Sequence, residues 1–408
     1  MTRVVITGLG AVSPLGLNVR DSWASALASI SGLGPMTQPV LPNVPPTLAC
    51  EVKGFDAEVM MPKKEARRQD RYQHLALAAA VEAMQQAGLE ITAENAHRVG
   101  VIISVCSGGY QTFEEELNSI QEKGARSCSP FAIAKIMPNG ASALVAMRCG
   151  ATGPSAAVCS ACASSSDAIG YGLLLLRSGM CDAVIVGGAE ASLHSVSVAS
   201  FGRMGLLSSR GSGTPSPFCR QRDGLVIGEG AAVLVLETYE HAQKRRAAII
   251  AELAGYGTSS DSYHITSPST GGVGAAQAIK AALRDARLNA NEISYINAHG
   301  TGTRINDAVE TNAIKLALGT HALSTPISST KSMTGHMMGA TSALELMFCV
   351  LAVRDSILPP TIHYQEPDPE CDLDYVPNVA REIPVTAAMS NAFGFGGHNS
   401  VLVVKKIE

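Results

Sequence analysis

The sequence is poor in aromatic residues, in charge and in long apolar runs, and each shortage narrows what it can do. Aromatics make up 4% of the 408 residues and charged residues 16%, so the 46% hydrophobic content falls to Ala, Val, Ile and Leu in short runs. Such runs suit strands buried on both faces with helices packed over them. A basic excess is missing: 31 Lys and Arg face 35 Asp and Glu, a net charge of −4, whereas nucleic acid needs a broad basic surface. No apolar stretch nears the roughly 20 residues of a membrane helix, and segments such as GLLLLRSG fall far short of it. The opening MTRVVITGLGAVSPLG has no secretory arrangement, which places the chain in the cytoplasm as an expectation. Gly8-Leu9-Gly10 lacks the third glycine of a dinucleotide fingerprint, and no strand ends on an acidic residue at the required distance. The glycine-rich phosphate loop ending in Gly-Lys-Ser or Gly-Lys-Thr is absent too.

A linker is also lacking. The length allows two packed cores, yet no Pro- or Ser-rich joint divides them. Two α/β halves, 1–240 and 241–408, are therefore expected to share a large interface. Within them the spacing predicts one long amphipathic helix over 63–87, a strand at Val99–Ser104, and a strand–helix–strand unit. That unit comprises SAAVCSA, a helix from about Ala163 to Arg177, and DAVIVGGAE. The second half offers a helix at GAAQAIKAALRDA, a strand at ISYINA, a helix at Asp307–Ala317, and closing strands at AAMSNA and SVLVVKK. Residues 207–216 read as a surface loop.

Ten cysteines are scattered through the chain, a pattern of reduced thiols rather than a disulfide framework. CSACASSSDAIG contains two, three apart. No second Cys-x-x-Cys completes a zinc site, so no metal is expected. Cys159 should lie inside the strand as a buried neighbour. Cys162 should sit where the strand gives way to a helix, where free N–H groups and the helix dipole lower a thiol pKa and make a nucleophile. Buried filler is the competing reading, and spacing alone does not choose between them. His299 in NAHGTGT and His336 in STKSMTGHMMGA both follow strand-like segments and stand beside glycine, where ligands collect in α/β proteins. Lys331 precedes His336 in apolar company, with Glu345 as its obvious carboxylate partner. Phe393 and Phe395 lie among three glycines, a loop able to supply a backbone N–H and an aromatic gate.

Taken in order, CSACASS, NAHGTGT, STKSMTGHMMGA and FGFGGHNS resemble the β-ketoacyl-acyl carrier protein synthases of the thiolase-like superfamily, nearest the elongating synthase II type. The resemblance runs from VVITGLGAVSPLG to the end and includes RDGLVIGEGA, GTSSDSYHITSP and LPPTIHY. It implies two similar α/β halves in a layered αβαβα structure, and condensation of a Cys162-bound acyl group with malonyl carrier protein. The N–H groups of Cys162 and Phe395 would form an oxyanion hole, and His299 and His336 would stabilise the enolate. Lys331 paired with Glu345 would orient the histidines. Thr266, Thr301 and Thr303 match positions contacting the phosphopantetheine arm, and Ser107 matches a position in the acyl pocket. No cofactor of its own is implied. The partner is an acidic acyl carrier protein, docked on Lys64, Arg67 and Arg68, with Lys63, Arg71, Arg126 and Arg203 as further candidates. A homodimer, or a heterodimer with a homologous subunit, is implied as well. His398, Gly302 and Arg304-Ile305-Asn306 depart from the usual pattern and keep a polyketide or polyene pathway open as the alternative. A monovalent ion near the strand ends of the second half is left open.

Overall fold

The computed structural model describes residues 2–38, 40–45, 47–208 and 214–407. Residues 209–213 of the expected loop at 207–216 therefore fall outside the described residues. Ten strands form one ladder: β1 Val4–Val12, β2 Val99–Ser104, β3 Ser155–Ala156, β4 Ala183–Ala191, β5 Glu229–Thr238, β6 Ala251–Ser260, β7 Tyr295–Asn297, β8 Ile327–Ser328, β9 Ala387–Gly394 and β10 His398–Lys405. Across the sheet they run β8-β7-β9-β10-β6-β1-β5-β4-β2-β3. The order 1-5-4-2-3 recurs as 6-10-9-7-8. Within each half the first two pairings are antiparallel and the last two parallel. The halves are thus one topology used twice, joined where β1 meets β6 at Val5 and Ile6.

Five helices set the layers: α1 Arg71–Ala87, α2 Ser164–Arg177, α3 Val273–Ala286, α4 Arg304–Leu318 and α5 Thr341–Asp355. α1 covers β1, β4 and β5, while α3 covers β6 and β10 with α4 against it. α2 and α5 touch each other and strands of both halves, which makes the central layer. Every residue of β1 is buried because helices cover both of its faces. Gly8 and Gly10 explain how close α1 comes: a Cβ there would lie 2.1 and 1.9 Å from the Ala83 and Ala79 carbonyl oxygens. The second half repeats the device at Gly255 and Gly257 against α3. The glycine pair that superficially suggests a dinucleotide turn is a packing surface.

Two expectations are corrected. The long helix over 63–87 is broken into Lys63–Ala66 and α1, because Asp70 caps α1 through the Tyr72 N–H and Gln73 returns the bond to the Asp70 N–H. The strand expected at SAAVCSA shrinks to Ser155–Ala156 at the sheet edge. Cys159 consequently lies outside it and is exposed rather than buried, its Sγ 3.4 Å from the Cys106 carbonyl.

Candidate active site

Cys162 stands in a single 3₁₀ turn, Ala161–Ala163, that leads into α2. To make this turn Ala161 takes a φ of 53°, a left-handed conformation that costs a non-glycine residue about 1–2 kcal/mol. Local bonds hold it: the Ser160 N–H donates to Ser164 Oγ at 3.0 Å, and that hydroxyl donates to the Ala161 carbonyl at 2.6 Å. Gly394, ending β9, passes so near that a Cβ there would be 2.6 Å from the Ser160 oxygen. This approach brings the Phe395 N–H to Cys162 Sγ, where the N–H of Cys162 itself also points.

The thiol is not acidified as the helix terminus alone suggested. Burial pushes Cys162 up to about 11, and the Lys331 charge with the two N–H groups only partly opposes it. At this site desolvation outweighs the helix end.

His299 lies two residues beyond β7. Its N–H and that of Gly300 donate to Glu310 of α4 at 2.8 and 2.7 Å, and Asn391 Nδ2 reaches the same carboxylate at 3.2 Å. Burial pushes Glu310 up to about 7, against the pull of those donors. Across the cavity the His336 backbone bonds both ways with the 226–228 segment. Its Nδ1 accepts the Met338 N–H at 3.1 Å, which fixes the neutral tautomer with hydrogen on Nε2. That Nε2 is buried and has no partner among the described residues. The two imidazoles stand edge to face, centroids 5.5 Å apart. Burial, then the Lys331 charge, drives both well below the usual histidine value, so both are neutral near pH 7. Cys162 Sγ and one nitrogen of each ring lie within 4.8 Å of one another.

Lys331 and Glu345 are both 1% exposed, and Lys331 Nζ meets Glu345 Oε1 at 2.7 Å. Burial pushes Glu345 up to about 7, opposed chiefly by Lys331. Neither residue lines the cavity, and the Lys331 charge is felt at both histidines.

Cys162, His299 and His336 share one cavity of about 490 Å³ with Phe393, Phe395 and all three threonines, Thr266, Thr301 and Thr303. Arg304, Ile305 and Asn306 line it too, while His398 is exposed. Gly302 has a φ of 80°, and a Cβ there would be 2.9 Å from the Gly224 oxygen. Ser107 is not among the lining residues; its neighbour Cys106 is. Glu190 on β4 accepts the N–H groups of Cys106 at 2.7 Å, Gly339 at 3.1 Å and Ser107 at 3.4 Å. Sequence reasoning passed over Glu190 and Glu310, although a carboxylate inside the apolar run AVIVGGAEA was a visible signal.

Lys64, Arg67 and Arg68 are exposed, the last with its guanidinium 4.8 Å over Phe131. Arg126 and Arg203 are also exposed, and Lys63 pairs with Glu58 at 3.2 Å. Arg71 drops out as a docking candidate because its guanidinium is forked onto the buried Glu229.

The thiol and imidazoles form a donor set for a soft metal, but the tautomer of His336 puts a hydrogen where a ligand lone pair is needed, and Lys331 adds positive charge nearby. Asn297 Oδ1, Asn391 Oδ1 and Glu345 Oε2 are buried oxygens without a hydrogen-bond partner among the described residues, the donor type that a hard cation takes. Glu310 bonds Asn391 and interacts electrostatically with Glu345. A bound cation would offset the charge of these carboxyls.

The sequence profile of the beta-ketoacyl synthase N-terminal domain matches residues 1–242, and that of its C-terminal domain matches 250–365. The chain is 45% identical over 408 residues to 3-oxoacyl-[acyl-carrier-protein] synthase 2 of Staphylococcus aureus, covering 100% of this chain and 99% of that one. Among solved structures it is similar to the ishigamide ketosynthase/chain length factor, at 35% identity, full coverage of both chains and a TM-score of 0.93. It is also similar to a type II polyketide ketosynthase solved with its acyl-carrier protein and a hexaketide, at 35% identity, full coverage of both and a TM-score of 0.92. Both halves of the fold and the full length of the sequence agree, and the chain belongs to the β-ketoacyl synthase family of carbon–carbon bond-forming acyltransferases.

Proposed function

We propose that the chain elongates fatty acids by condensing an acyl group on Cys162 with a malonyl unit, both delivered on the phosphopantetheine arm of an acyl carrier protein. The observation that carries this reading is the meeting of one thiol, two neutral imidazoles and two backbone N–H groups in a single cavity. First the Cys162 sulfur attacks the acyl thioester. A new S–C bond forms, the pantetheine C–S bond breaks, and the thiol proton leaves on the pantetheine sulfur. The N–H groups of Cys162 and Phe395 face the position where the oxyanion develops. Next the malonyl thioester oxygen rests against His299 and His336. Carbon dioxide departs, and the electron pair it leaves becomes an enolate, for whose oxygen the His336 Nε2–H is a ready donor. The enolate carbon attacks the acyl carbon, the Cys162 S–C bond breaks, and the sulfur takes up one proton from solvent. No electrons change hands overall, so the reaction calls for no redox cofactor.

Roles follow for the other residues. Lys331, held by Glu345, keeps the imidazoles neutral and favours the thiolate. Thr266, Thr301 and Thr303 line the route of the arm, and Phe393 and Phe395 gate it. Lys64, Arg67 and Arg68 offer an acidic carrier protein an exposed cationic turn. A second copy of the chain, or a homologous subunit, suits the edge strand β3 and the exposed Phe113, Leu117, Ile133 and Met147. The ten free cysteines are in keeping with the cytoplasm.

Replacing Cys162 by alanine should abolish elongation of acyl carrier protein substrates and leave malonyl decarboxylation at the histidines. Full-rate elongation by that variant contradicts the reading. The likeness to a ketosynthase/chain length factor and to a type II polyketide ketosynthase favours a polyketide role as the second reading. An active homodimer of the purified chain supports fatty-acid elongation, and activity only with a second subunit supports the alternative.

A further inference from the structure

The turn that carries Cys162 is strained at Ala161, and something must hold it at the depth the histidines require. Its entry residue, Ser160, is fastened by a side chain five positions past the nucleophile. The Ser160 hydroxyl donates to Asp167 Oδ2 at 2.5 Å. The other oxygen, Oδ1, accepts the Tyr256 hydroxyl at 2.8 Å. Asp167 is 8% exposed, and no ion pair among the described residues includes it. Two hydroxyls from two directions are its side chain's partners. Tyr256 belongs to β6 in the second half, and its position is fixed in turn. Its ring occupies the space beside α2 that a side chain at Gly170 would need, 2.5 Å from where that Cβ would be. The link therefore runs from the nucleophile turn through the first turn of α2 to the first strand of the other half, which also supplies His299 and His336.

We propose that Asp167 is a positioning residue: with Tyr256 it fixes the Cys162 turn to the half of the molecule that carries the histidines. The inference rests on Cys162 being the nucleophile. It assigns to Asp167 the placement of the sulfur against the imidazoles and against the Phe395 N–H, and acyl transfer to the thiol depends on the second of these. Decarboxylation draws on the histidines alone.

Asp167→Asn puts a donating amide where one hydroxyl needs an acceptor, and Tyr256→Phe removes a single oxygen while keeping the ring against Gly170. Acyl transfer to Cys162, followed by rapid-quench intact mass, should fall at least fivefold in each variant, with malonyl decarboxylation within twofold of the unaltered chain. Alkylation of Cys162 by iodoacetamide should slow as well, a readout that needs no carrier protein and stands whether or not the chain elongates fatty acids. The double variant should fall no further than the worse single one, because both cut the same link. Equal losses in both half-reactions, or unchanged acyl transfer in both variants, overturns the assignment. Should Asp167→Asn not fold, Tyr256→Phe decides it alone.

Discussion

A thiol pushed up to about 11 is a poor nucleophile at rest, so the reactivity of Cys162 must come from what meets it in the cavity. Because the folded value lies above the free value of 9.0, the thiolate fraction is small at neutral pH and grows as pH rises through both. Alkylation of Cys162 by iodoacetamide should therefore keep accelerating beyond pH 9 and level only near 11; a plateau below pH 8 contradicts this. Lys331 is the chief counterweight, and with Glu345 it forms an ion pair sealed from solvent. Lys331→Met leaves a buried carboxyl without its cation and should cost about 3–5 kcal/mol of stability in denaturant titrations. Adding Glu345→Met should recover most of that stability, but not activity, because the Lys331 charge that reinforces burial at the histidines and opposes it at Cys162 is gone. Recovery of both would make the pair merely structural.

Between elements, the site depends on close backbone approach. Gly394→Ala would place a methyl 2.6 Å from the Ser160 oxygen and 3.1 Å from the Cys162 nitrogen. A stability loss of about 1–3 kcal/mol is expected, together with slower acylation of Cys162; thermal melts and single-turnover acylation check the two effects. At this scale the sequence was an uneven guide. NAHGTGT and the Lys331–Glu345 spacing pointed to His299 and the ion pair because one follows a strand and the other reaches a helix whose period is readable. CSACASSS pointed to Cys162 through the helix that follows it. Glu190, Glu310 and Asp167 escaped notice because their partners are backbone N–H groups and hydroxyls brought together only by folding. The break between Lys63–Ala66 and α1 was missed through apolar periodicity, although Asp70 and Gln73 spell a capping box. Cys162 acidity was misjudged for a physical reason: helix-end electrostatics are local, whereas burial depends on the whole surrounding fold.

Across the whole molecule, one topology used twice puts Cys162 on the first half and the imidazoles on the second, with the cavity between their strand ends. On the proposed reading the outer surface has two tasks: receiving a carrier protein and burying exposed apolar residues such as Phe113 and Ile133 against another chain. Replacing Lys64, Arg67 and Arg68 together by glutamate should raise KM for carrier-linked substrates at least tenfold and leave small thioester analogues unaffected; unchanged kinetics would end the docking assignment. The central claim is that one sulfur carries the growing chain and yields it to a malonyl-derived carbon. Time-resolved intact mass spectrometry of the chain with acyl carrier protein substrates tests it most directly. The account predicts one acyl adduct, mapped to Cys162, that disappears as β-ketoacyl carrier protein forms on adding malonyl carrier protein. An adduct at another residue, or one that persists through turnover, would contradict it.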